Sequence, residues 1–326
     1  MIEAQVEASP EIHKITAAAR RFVENVGRVI VGKEEPIQAV FIGLLCGGHL
    51  LIEDVPGVGK TLLAKAAARS LSCTFKRIQC TPDLLPADVT GLHYFNQKTS
   101  EFEFRPGPIL ANLVLVDEIN RAMPRTQSCL LEAMQERQVT VDWHTFPLPG
   151  PFLILATQNP IELEGTFPLP EAQLDRFLLR VKLGYPSAAE EDAILSRFQE
   201  ANPLDSLPAI LEAKEILDLQ GFSHQVYVEP TVRGYITALT RATRGHADIR
   251  LGASPRSSLG LHSAARALAA IQGRSYVIPD DVKSLLIPVL AHRLLLKAEA
   301  RMRGKTEEDV LREILEQTPV PIEKPA

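Results

Sequence analysis

The sequence predicts an α/β domain built on a parallel sheet, followed by an all-helical domain. Between residue 49 and about residue 183, short apolar runs alternate with longer segments of helical spacing. Each short run is apolar in the way expected for a strand that is covered on both faces. Beyond residue 186 the strand-like runs largely vanish, and Ala, Leu and Arg recur at helical periods. The length of 326 residues suits two ordinary domains.

Five apolar runs are the predicted strands of the sheet: His49–Asp54, Thr74–Cys80, Asn112–Glu118, Pro151–Asn159 and Phe177–Leu183. Helical patterns lie between them, including Lys60–Ser70 and Arg125–Arg137. Two segments near 93–108 and 138–149 combine aromatic or alternating apolar residues with prolines and predict hairpin inserts. We therefore divide the chain into an α/β core at 1–186, a helical domain at 187–317 and a flexible, proline-rich tail at 318–326.

The composition is that of a globular protein, with 45% hydrophobic and 23% charged residues. The acidic, mixed N-terminus and the lack of a long apolar run predict a cytoplasmic protein without a membrane span. A net charge of −5 disfavours nucleic acid as the main partner. The four cysteines show no C-x-x-C spacing, which favours free buried thiols in a reducing compartment over a metal or redox site.

Residues 54–61, Asp-Val-Pro-Gly-Val-Gly-Lys-Thr, resemble a phosphate-binding loop in which Asp54 replaces the first glycine of G-x-x-x-x-G-K-[ST]. Gly57 and Gly59 permit a sharp turn whose backbone N–H groups converge at the start of a helix. Lys60 can then reach the β- and γ-phosphates, and Thr61 can bind Mg²⁺. Asp54 is compatible with this loop if its φ is negative, because only positive φ requires glycine.

Two other predicted strands also end in polar side chains. Asp117 and Glu118 close the run 112–118, where Asp117 can hold Mg²⁺ and Glu118 can activate a water. Taken alone, this pair is equally typical of a surface turn, and the phosphate loop in the same sheet favours the functional interpretation. Asn159 follows the next run and can contact the γ-phosphate or the attacking water, or can simply close a turn before Pro160.

Six segments together resemble the MoxR family of AAA+ ATPases, in order and over residues 12 to 315. They are Val29–Glu35, Glu53–Thr61, Val116–Ala122, Ala156–Pro160, Leu169–Phe177 and Ala253–Arg256. The resemblance implies an AAA+ P-loop core with a parallel sheet flanked by helices, an all-α lid, ATP and Mg²⁺ as cofactors, and assembly into a ring, usually a hexamer. Asp54 fits the family's own form of the loop.

The resemblance also assigns roles to individual residues. Glu118 is then the Walker B glutamate, Asn159 the first sensor, Arg176 the arginine finger and Arg256 the second sensor. Arg121 and Arg180 remain alternatives for the finger. The nucleotide-binding residues implied are Ile30, Val31 and Gly32 at the adenine, Pro56, Gly57, Val58, Gly59, Lys60, Thr61 and Leu62 of Walker A, and Asp117 of Walker B, with Thr61 and Asp117 holding Mg²⁺.

The function implied is an ATP-hydrolysing ring motor of chaperone type. The family associates with proteins carrying a von Willebrand factor A domain, in enzyme maturation or metal-cofactor insertion, and the sequence does not identify the client. Two other functions stay open, an ATP-gated scaffold with little turnover and a nucleic-acid remodelling motor. The arginine-rich stretch Arg233–Arg274 favours the latter, whereas the net charge opposes it.

The predicted hairpin inserts carry five aromatic residues, and two roles are open for them. In rings of this branch such inserts face the pore or one face of the ring, where substrates bind. Their aromatic residues can contact a substrate or pack the small cores of the hairpins, and the second interpretation is favoured. The residues concerned are Tyr94, Phe95, Phe102, Phe104 and Trp143.

Overall fold

The computed structural model describes residues 9–159, 165–199 and 202–320, so Pro160 and the last residues of the predicted tail, 321–326, lie outside it. The strands are β1 (His49–Glu53), β2 (Phe75–Gln79), β3 (Gly91–Asn96), β4 (Glu101–Pro106), β5 (Leu113–Asp117), β6 (Gln138–Val141), β7 (His144–Pro147), β8 (Leu153–Gln158), β9 (Phe177–Val181), β10 (Ile249–Leu251) and β11 (Leu295–Leu296). The helices are α1 (Pro10–Gly27), α2 (Glu34–Cys46), α3 (Lys60–Ser70), α4 (Pro86–Thr90), α5 (Pro124–Glu136), α6 (Glu171–Leu174), α7 (Ala188–Phe198), α8 (Ala213–Ser223), α9 (Pro230–Gly245), α10 (Pro255–Ile271), α11 (Pro279–Leu290), α12 (Ala298–Met302) and α13 (Glu307–Gln317).

The central sheet has five strands in the order β2-β5-β8-β1-β9, and every neighbouring pair is parallel. All five predicted strands are confirmed, with ends that differ by no more than two residues. Because the strands are parallel, their carboxyl ends lie at one edge of the sheet, where ligands of α/β proteins usually bind. The candidate phosphate loop follows β1, Asp117 is the last residue of β5, and Glu118 and Asn159 directly follow β5 and β8.

Both faces of the sheet are buried at its inner strands β1, β5 and β8, which explains why these strands are mostly apolar, whereas the edge strand β2 exposes Lys76, Arg77 and Gln79. Along β1, Leu50 and Ile52 belong to a core shared with α2 and α3, whereas Leu51 belongs to a second core with α5. Leu113 and Val114 on β5 divide between the same two cores. Successive side chains of a strand point to opposite faces, so a strand buried on both faces cannot alternate with polar residues.

After β9 the secondary structure of the described residues is helical, apart from the short antiparallel pair β10 and β11 and an isolated bridge between Tyr227 and Tyr276. Helix α1 lies between this part and the sheet. Its Phe22 ring lies 5.2 Å from that of Phe41 on α2, and its Thr16 hydroxyl donates to the Ala270 carbonyl of α10 at 2.9 Å. The first helix therefore packs against both parts of the molecule.

The two predicted inserts each contain an antiparallel pair, β3 with β4 and β6 with β7. They pack against one another, because the Phe104 and Phe146 rings stack at 4.2 Å and His93 Nδ1 lies 2.8 Å from an Asp142 carboxylate oxygen. Phe102 and Trp143 stay 73% and 85% exposed. Phe104 therefore packs in the core that the two hairpins share, whereas Trp143 lies at the surface, where it is free to contact a substrate.

None of the helices in the described ranges combines the length and apolar character that a membrane crossing needs. The four cysteines are free thiols. Burial raises the pKa of Cys73 and of Cys129 to about 11, so these thiols stay protonated at neutral pH.

Candidate functional site

The predicted phosphate-binding loop connects β1 to α3, the strand-to-helix context that its sequence pattern requires. Gly57 and Gly59 have φ values of 86° and 93°, a region that side chains rarely adopt, and Gly59 caps the N-terminus of α3. The loop's backbone N–H groups lie at the positive end of the helix dipole. Lys60 Nζ donates to the backbone carbonyl of Asp54 at 2.9 Å, so the lysine already lies across the loop.

Asp54 itself does not have the left-handed backbone that would require glycine, since it is not among the positive-φ residues of the described chain. Its carboxylate accepts hydrogen bonds from the N–H groups of Leu183 and Gly184, each at 2.6 Å. These residues follow β9, the neighbouring strand. Aspartate in place of glycine at position 54 therefore provides a carboxylate that binds the segment after β9, where the chain leaves the sheet.

The Asp117-Glu118 pair is held in place by a threonine that the sequence patterns did not single out. The fully buried Thr157 of β8 donates its hydroxyl hydrogen to Asp117 Oδ1 at 2.5 Å and accepts the N–H of Glu118 at 2.9 Å. Glu118 has a φ of 57°, which is uncommon for a residue with a side chain. Thr157 thus aligns the two acids with the next strand of the sheet.

A cavity of about 190 Å³ lies beside the phosphate loop. One wall is formed by the chain between α1 and α2, including Ile30 and Val31, and the loop contributes Val58 and Leu62. The cavity's full lining is Val29, Ile30, Val31, Lys33, Gly57, Val58, Gly59, Leu62, Pro186, Ile194 and Phe198. A small apolar pocket adjoining a phosphate-binding loop fits a nucleotide base.

Gly32 lies next to this cavity and outside its lining, where a Cβ atom would lie 1.6 Å from Glu190 Oε1. Gly32 therefore permits close approach of α7. The opposite wall comes from the helical part, through Pro186, Ile194 and Phe198. The sequence patterns missed these three residues, because their side chains meet the phosphate loop only after the helical part folds back.

The region around this site, residues 49–179, matches the ATPase family associated with various cellular activities (AAA), and residues 241–314 match the AAA lid domain. A Mycobacterium tuberculosis protein named Chaperone MoxR1 is 43% identical over 320 residues, which cover 95% of this chain and 83% of that protein. This chain belongs to the MoxR family of AAA+ ATPases.

Two further similarities span nearly the whole chain. The Bacillus subtilis protein YeaC is 48% identical over 97% of this chain and 98% of its own length. The crystal structure of a candidate ATPase from Cytophaga hutchinsonii superimposes with a TM-score of 0.90 at 36% identity, over 96% of this chain and 97% of that one. The AAA+ fold with its helical lid is therefore shown for this MoxR-family protein.

Strand β2 adds two side chains to the candidate site of this MoxR-family protein. Arg77 Nη2 lies 2.7 Å from Asp117 Oδ2, and Gln79 Nε2 donates to Glu118 Oε2 at 3.1 Å. Arg77 and Gln79 are two residues apart, so both point to one face of the strand, and Gln79 pairs in register with Asp117. Because alternate residues of a strand point to the same face, the spacing of Arg77 and Gln79 in the sequence is the pattern from which they could have been predicted.

The three candidate finger arginines have different surroundings. Arg180 is 12% exposed and lies 3.0 Å from both Glu53 and Glu308, so it is engaged within its own chain. Arg121 lies 3.3 Å from the Glu118 carboxylate. Arg176 donates to the Leu131 carbonyl at 2.6 Å. A finger must reach a neighbouring subunit, so the two ion pairs that Arg180 makes within its own chain disfavour it.

Arg256 is exposed on the first turn of α10, in the lid. This turn is attached to the core by Asp175, whose carboxylate accepts the Ser254 hydroxyl at 2.9 Å and lies 3.3 Å from Arg293 Nη1. Asp175 directly precedes Arg176. The segment of the candidate finger and the helix of the candidate second sensor are therefore joined within one chain.

The donor set of the site fits Mg²⁺. Thr61 provides a hydroxyl in the first turn of α3, and Asp117 provides a carboxylate at the same edge of the sheet. The described residues contain no cluster of three or more His, Cys, Asp or Glu side chains that could hold a metal alone. Mg²⁺ retains several waters and takes other ligands from phosphates, so it does not need such a cluster.

Proposed function

We propose that this MoxR-family chain is an ATP-hydrolysing ring motor that acts as a chaperone on partner proteins. The observation that carries the proposal is the arrangement of Asp117 and Glu118, which Thr157 holds at the edge of the sheet that also carries the phosphate loop. Nucleotide binding alone needs no second acid, whereas hydrolysis needs a group that accepts a proton from water. Glu118 is that group in our proposal.

The phosphate loop would bind the β- and γ-phosphates through its N–H groups and Lys60. Bound to Thr61 and Asp117, Mg²⁺ would neutralise phosphate charge that builds up during transfer. Glu118 orients and deprotonates the attacking water, and the buried Asn159 at the end of β8 contacts that water or the γ-phosphate. The base lies in the cavity between the core and the lid.

We propose a homo-oligomeric ring, the hexamer that is common among AAA+ proteins, in which Arg176 completes the site of a neighbouring subunit. Arg256 then contacts the γ-phosphate of its own subunit. In this assignment the core spans 1–186, the lid 187–317 and the tail 318–326. An arginine from a neighbour stabilises charge on the transferring phosphoryl group and makes hydrolysis depend on assembly.

We further propose a cytoplasmic location and a partner that carries a von Willebrand factor A domain. The name Chaperone MoxR1 of the Mycobacterium tuberculosis relative supports the chaperone role. The exposed Phe102 and Trp143 on the two hairpins are suited to contact a client protein, since exposed aromatic residues are enriched at interfaces. Maturation of an enzyme or insertion of its metal cofactor is the activity proposed for the complex.

The structure bears on the nucleic-acid alternative through the arginine-rich stretch 233–274. Two of its arginines are engaged within the lid: Arg274 lies 2.5 Å from an Asp281 carboxylate oxygen, and Arg244 donates to the Ala253 carbonyl at 2.8 Å. Phosphate backbones are bound by arginines that face outward in a patch. Part of the stretch therefore stabilises the lid, which favours a motor that acts on proteins over one that acts on nucleic acid.

The test is the ATPase rate per subunit over a range of protein concentrations, for the wild type, Glu118→Gln and Arg176→Ala. We expect a rate that rises with concentration and is lost in both variants. A mixture of the two variants should regain activity, because an Arg176→Ala subunit then receives a finger from a Glu118→Gln neighbour. Arg20→Ala, which removes an arginine 81% exposed on α1, is the matched control.

A concentration-independent rate that survives Arg176→Ala would contradict the ring with this finger. If the wild type binds ATP without turnover, alone and with a partner carrying a von Willebrand factor A domain, the scaffold is the better description. Binding and hydrolysis are thus measured separately on the same preparations.

A further inference from the structure

Asp54 makes three hydrogen bonds through its carboxylate. One oxygen accepts the N–H of Val55, the next residue of the phosphate loop, at 2.9 Å. The other oxygen accepts the N–H groups of Leu183 and Gly184, each at 2.6 Å. Bonds from backbone N–H groups to an ionised carboxylate are stronger than neutral ones. Asp54 therefore ties the phosphate loop to residues 129 and 130 positions away in the chain.

The two amides lie where the chain leaves the core for the lid. Strand β9 ends at Val181 and α7 begins at Ala188, so Leu183 and Gly184 open the linker between them. Gly184 has a φ of 65°, which turns the backbone in a way that favours glycine. This turn presents two successive N–H groups to a single carboxylate oxygen.

The same linker leads directly into one wall of the cavity of about 190 Å³ beside the phosphate loop, which we call the base cavity. Pro186 lies two residues beyond Gly184, and Ile194 and Phe198 follow on α7. The opposite wall and the phosphate loop belong to the core. The relative position of the two walls therefore depends on how the start of the linker is held, and the Asp54 carboxylate is one of the groups that hold it.

Asp54 also contacts the lysine of the phosphate loop. Its backbone carbonyl accepts the Lys60 ammonium at 2.9 Å, while its side chain binds the linker. A bound polyphosphate that attracts Lys60 would break the hydrogen bond between the Lys60 ammonium and the Asp54 carbonyl. Asp54 is thus in contact with the group that binds phosphate and with the segment that positions the base wall.

We propose that Asp54 is a positioning residue that couples the phosphate loop to the lid wall of the base cavity, so that selectivity for a nucleotide over a bare polyphosphate depends on it. The inference depends on the proposed function in one respect, namely that the ligand is ATP. It gives a physical reason for the carboxylate at this position: glycine would satisfy the loop and leave the Leu183 and Gly184 amides without this acceptor.

The experiment compares the affinities of the wild type and Asp54→Ala for ATP and for inorganic tripolyphosphate, by titration calorimetry with Mg²⁺ present. We expect ATP affinity to fall about tenfold, and tripolyphosphate affinity to change less than about twofold, because only ATP uses the cavity wall. Equal losses for both ligands would show that Asp54 only shapes the loop. Unchanged ATP affinity would also overturn the proposal.

The matched control is Glu308→Gln, which weakens a different contact between β9 and the lid. Glu308 accepts from Arg180 Nη2 at 3.0 Å and from Lys182 Nζ at 2.6 Å, without contacting the phosphate loop. It should leave the ratio of the two affinities near that of the wild type. If it lowers the ratio as Asp54→Ala does, any loosening of the lid suffices and Asp54 has no special role.

Hydrogen exchange of the Leu183 and Gly184 amides tests the contact without any ligand. Both amides should be protected in the wild type and exchange about tenfold faster or more in Asp54→Ala. Asp54→Gly, which restores the glycine of the usual phosphate-loop pattern and removes the acceptor, takes its place if Asp54→Ala does not fold, and unchanged exchange there overturns the contact. Protected amides in a wild type that binds no ATP would instead count against the proposed function alone.

Discussion

Asp175 accepts a hydrogen bond from the Ser254 hydroxyl at 2.9 Å, which joins the end of the short helix α6 to the first turn of α10 in the lid. Arg293, 6% exposed, lies 3.3 Å from the same carboxylate and donates to the Phe177 carbonyl at 2.7 Å. Burial lowers the pKa of Arg293 to about 10, and the Asp175 carboxylate opposes that shift. This cluster holds the lid against the core beside the two candidate arginines.

Asp175→Ala should lower the free energy of unfolding by about 3 kcal/mol, because it leaves the Arg293 guanidinium buried without its carboxylate. Denaturant unfolding at pH 7 measures this. The double variant Asp175→Ala/Arg293→Met should lose less than the sum of the single variants. Additive losses would show that the two side chains do not stabilise each other.

Thr157→Val should lower kcat about 10- to 100-fold while the affinity for ADP changes little, since the hydroxyl holds Asp117 and the Glu118 backbone. Thr157→Ser keeps the hydroxyl and should retain most of the activity. Thr145→Val, on an exposed hairpin strand, is the control for losing a threonine hydroxyl. Equal activity of Thr157→Val and the wild type would contradict the positioning role.

Arg77→Ala should lower the Mg²⁺ concentration for half-maximal ATPase rate by about two- to fivefold. The Arg77 guanidinium lies 2.7 Å from the Asp117 oxygen and competes with the cation for this carboxylate. A magnesium titration at saturating ATP measures the shift. Lys76→Ala removes a neighbouring charge from the other face of β2 and should leave the titration unchanged. A higher magnesium requirement in Arg77→Ala would mean that the arginine supports the metal site.

His49 makes the stability of the fold depend on pH. Its Nδ1 accepts the Ile154 N–H at 2.9 Å and its Nε2 lies 3.1 Å from the Met134 carbonyl, and burial lowers the pKa of the ring to about 4. The neutral ring is favoured in the folded state, so its contribution is present above the unfolded pKa of about 6.5 and is lost as the pH falls toward 4.

Between pH 7 and pH 5, the wild type should therefore lose about 2 kcal/mol more unfolding free energy than His49→Gln. Urea unfolding at the two pH values measures both proteins. Burial also lowers the pKa of His292 well below its ordinary value, so part of the acid sensitivity should remain in the variant. Identical slopes for the two proteins would show that His49 does not titrate in this range.

Local patterns in the sequence were sufficient to predict the sheet, its five strands and the candidate phosphate loop. Strands buried on both faces must be apolar along their length, and a turn with φ values of 86° and 93° requires the glycines at 57 and 59. These constraints act on neighbouring residues, so they are written as local patterns. The MoxR resemblance rests on the same segments, and the relatives confirm it.

The side chains that surround these groups could be identified only from the folded protein. Thr157 meets Asp117 from 40 residues away, and Asp54 meets the Leu183 amide from 129 residues away. Such contacts depend on the order and register of strands and on how the lid folds back over the core, and no local spacing encodes them. The same reason placed Phe198 in the wall of the base cavity and Gly32 beside it.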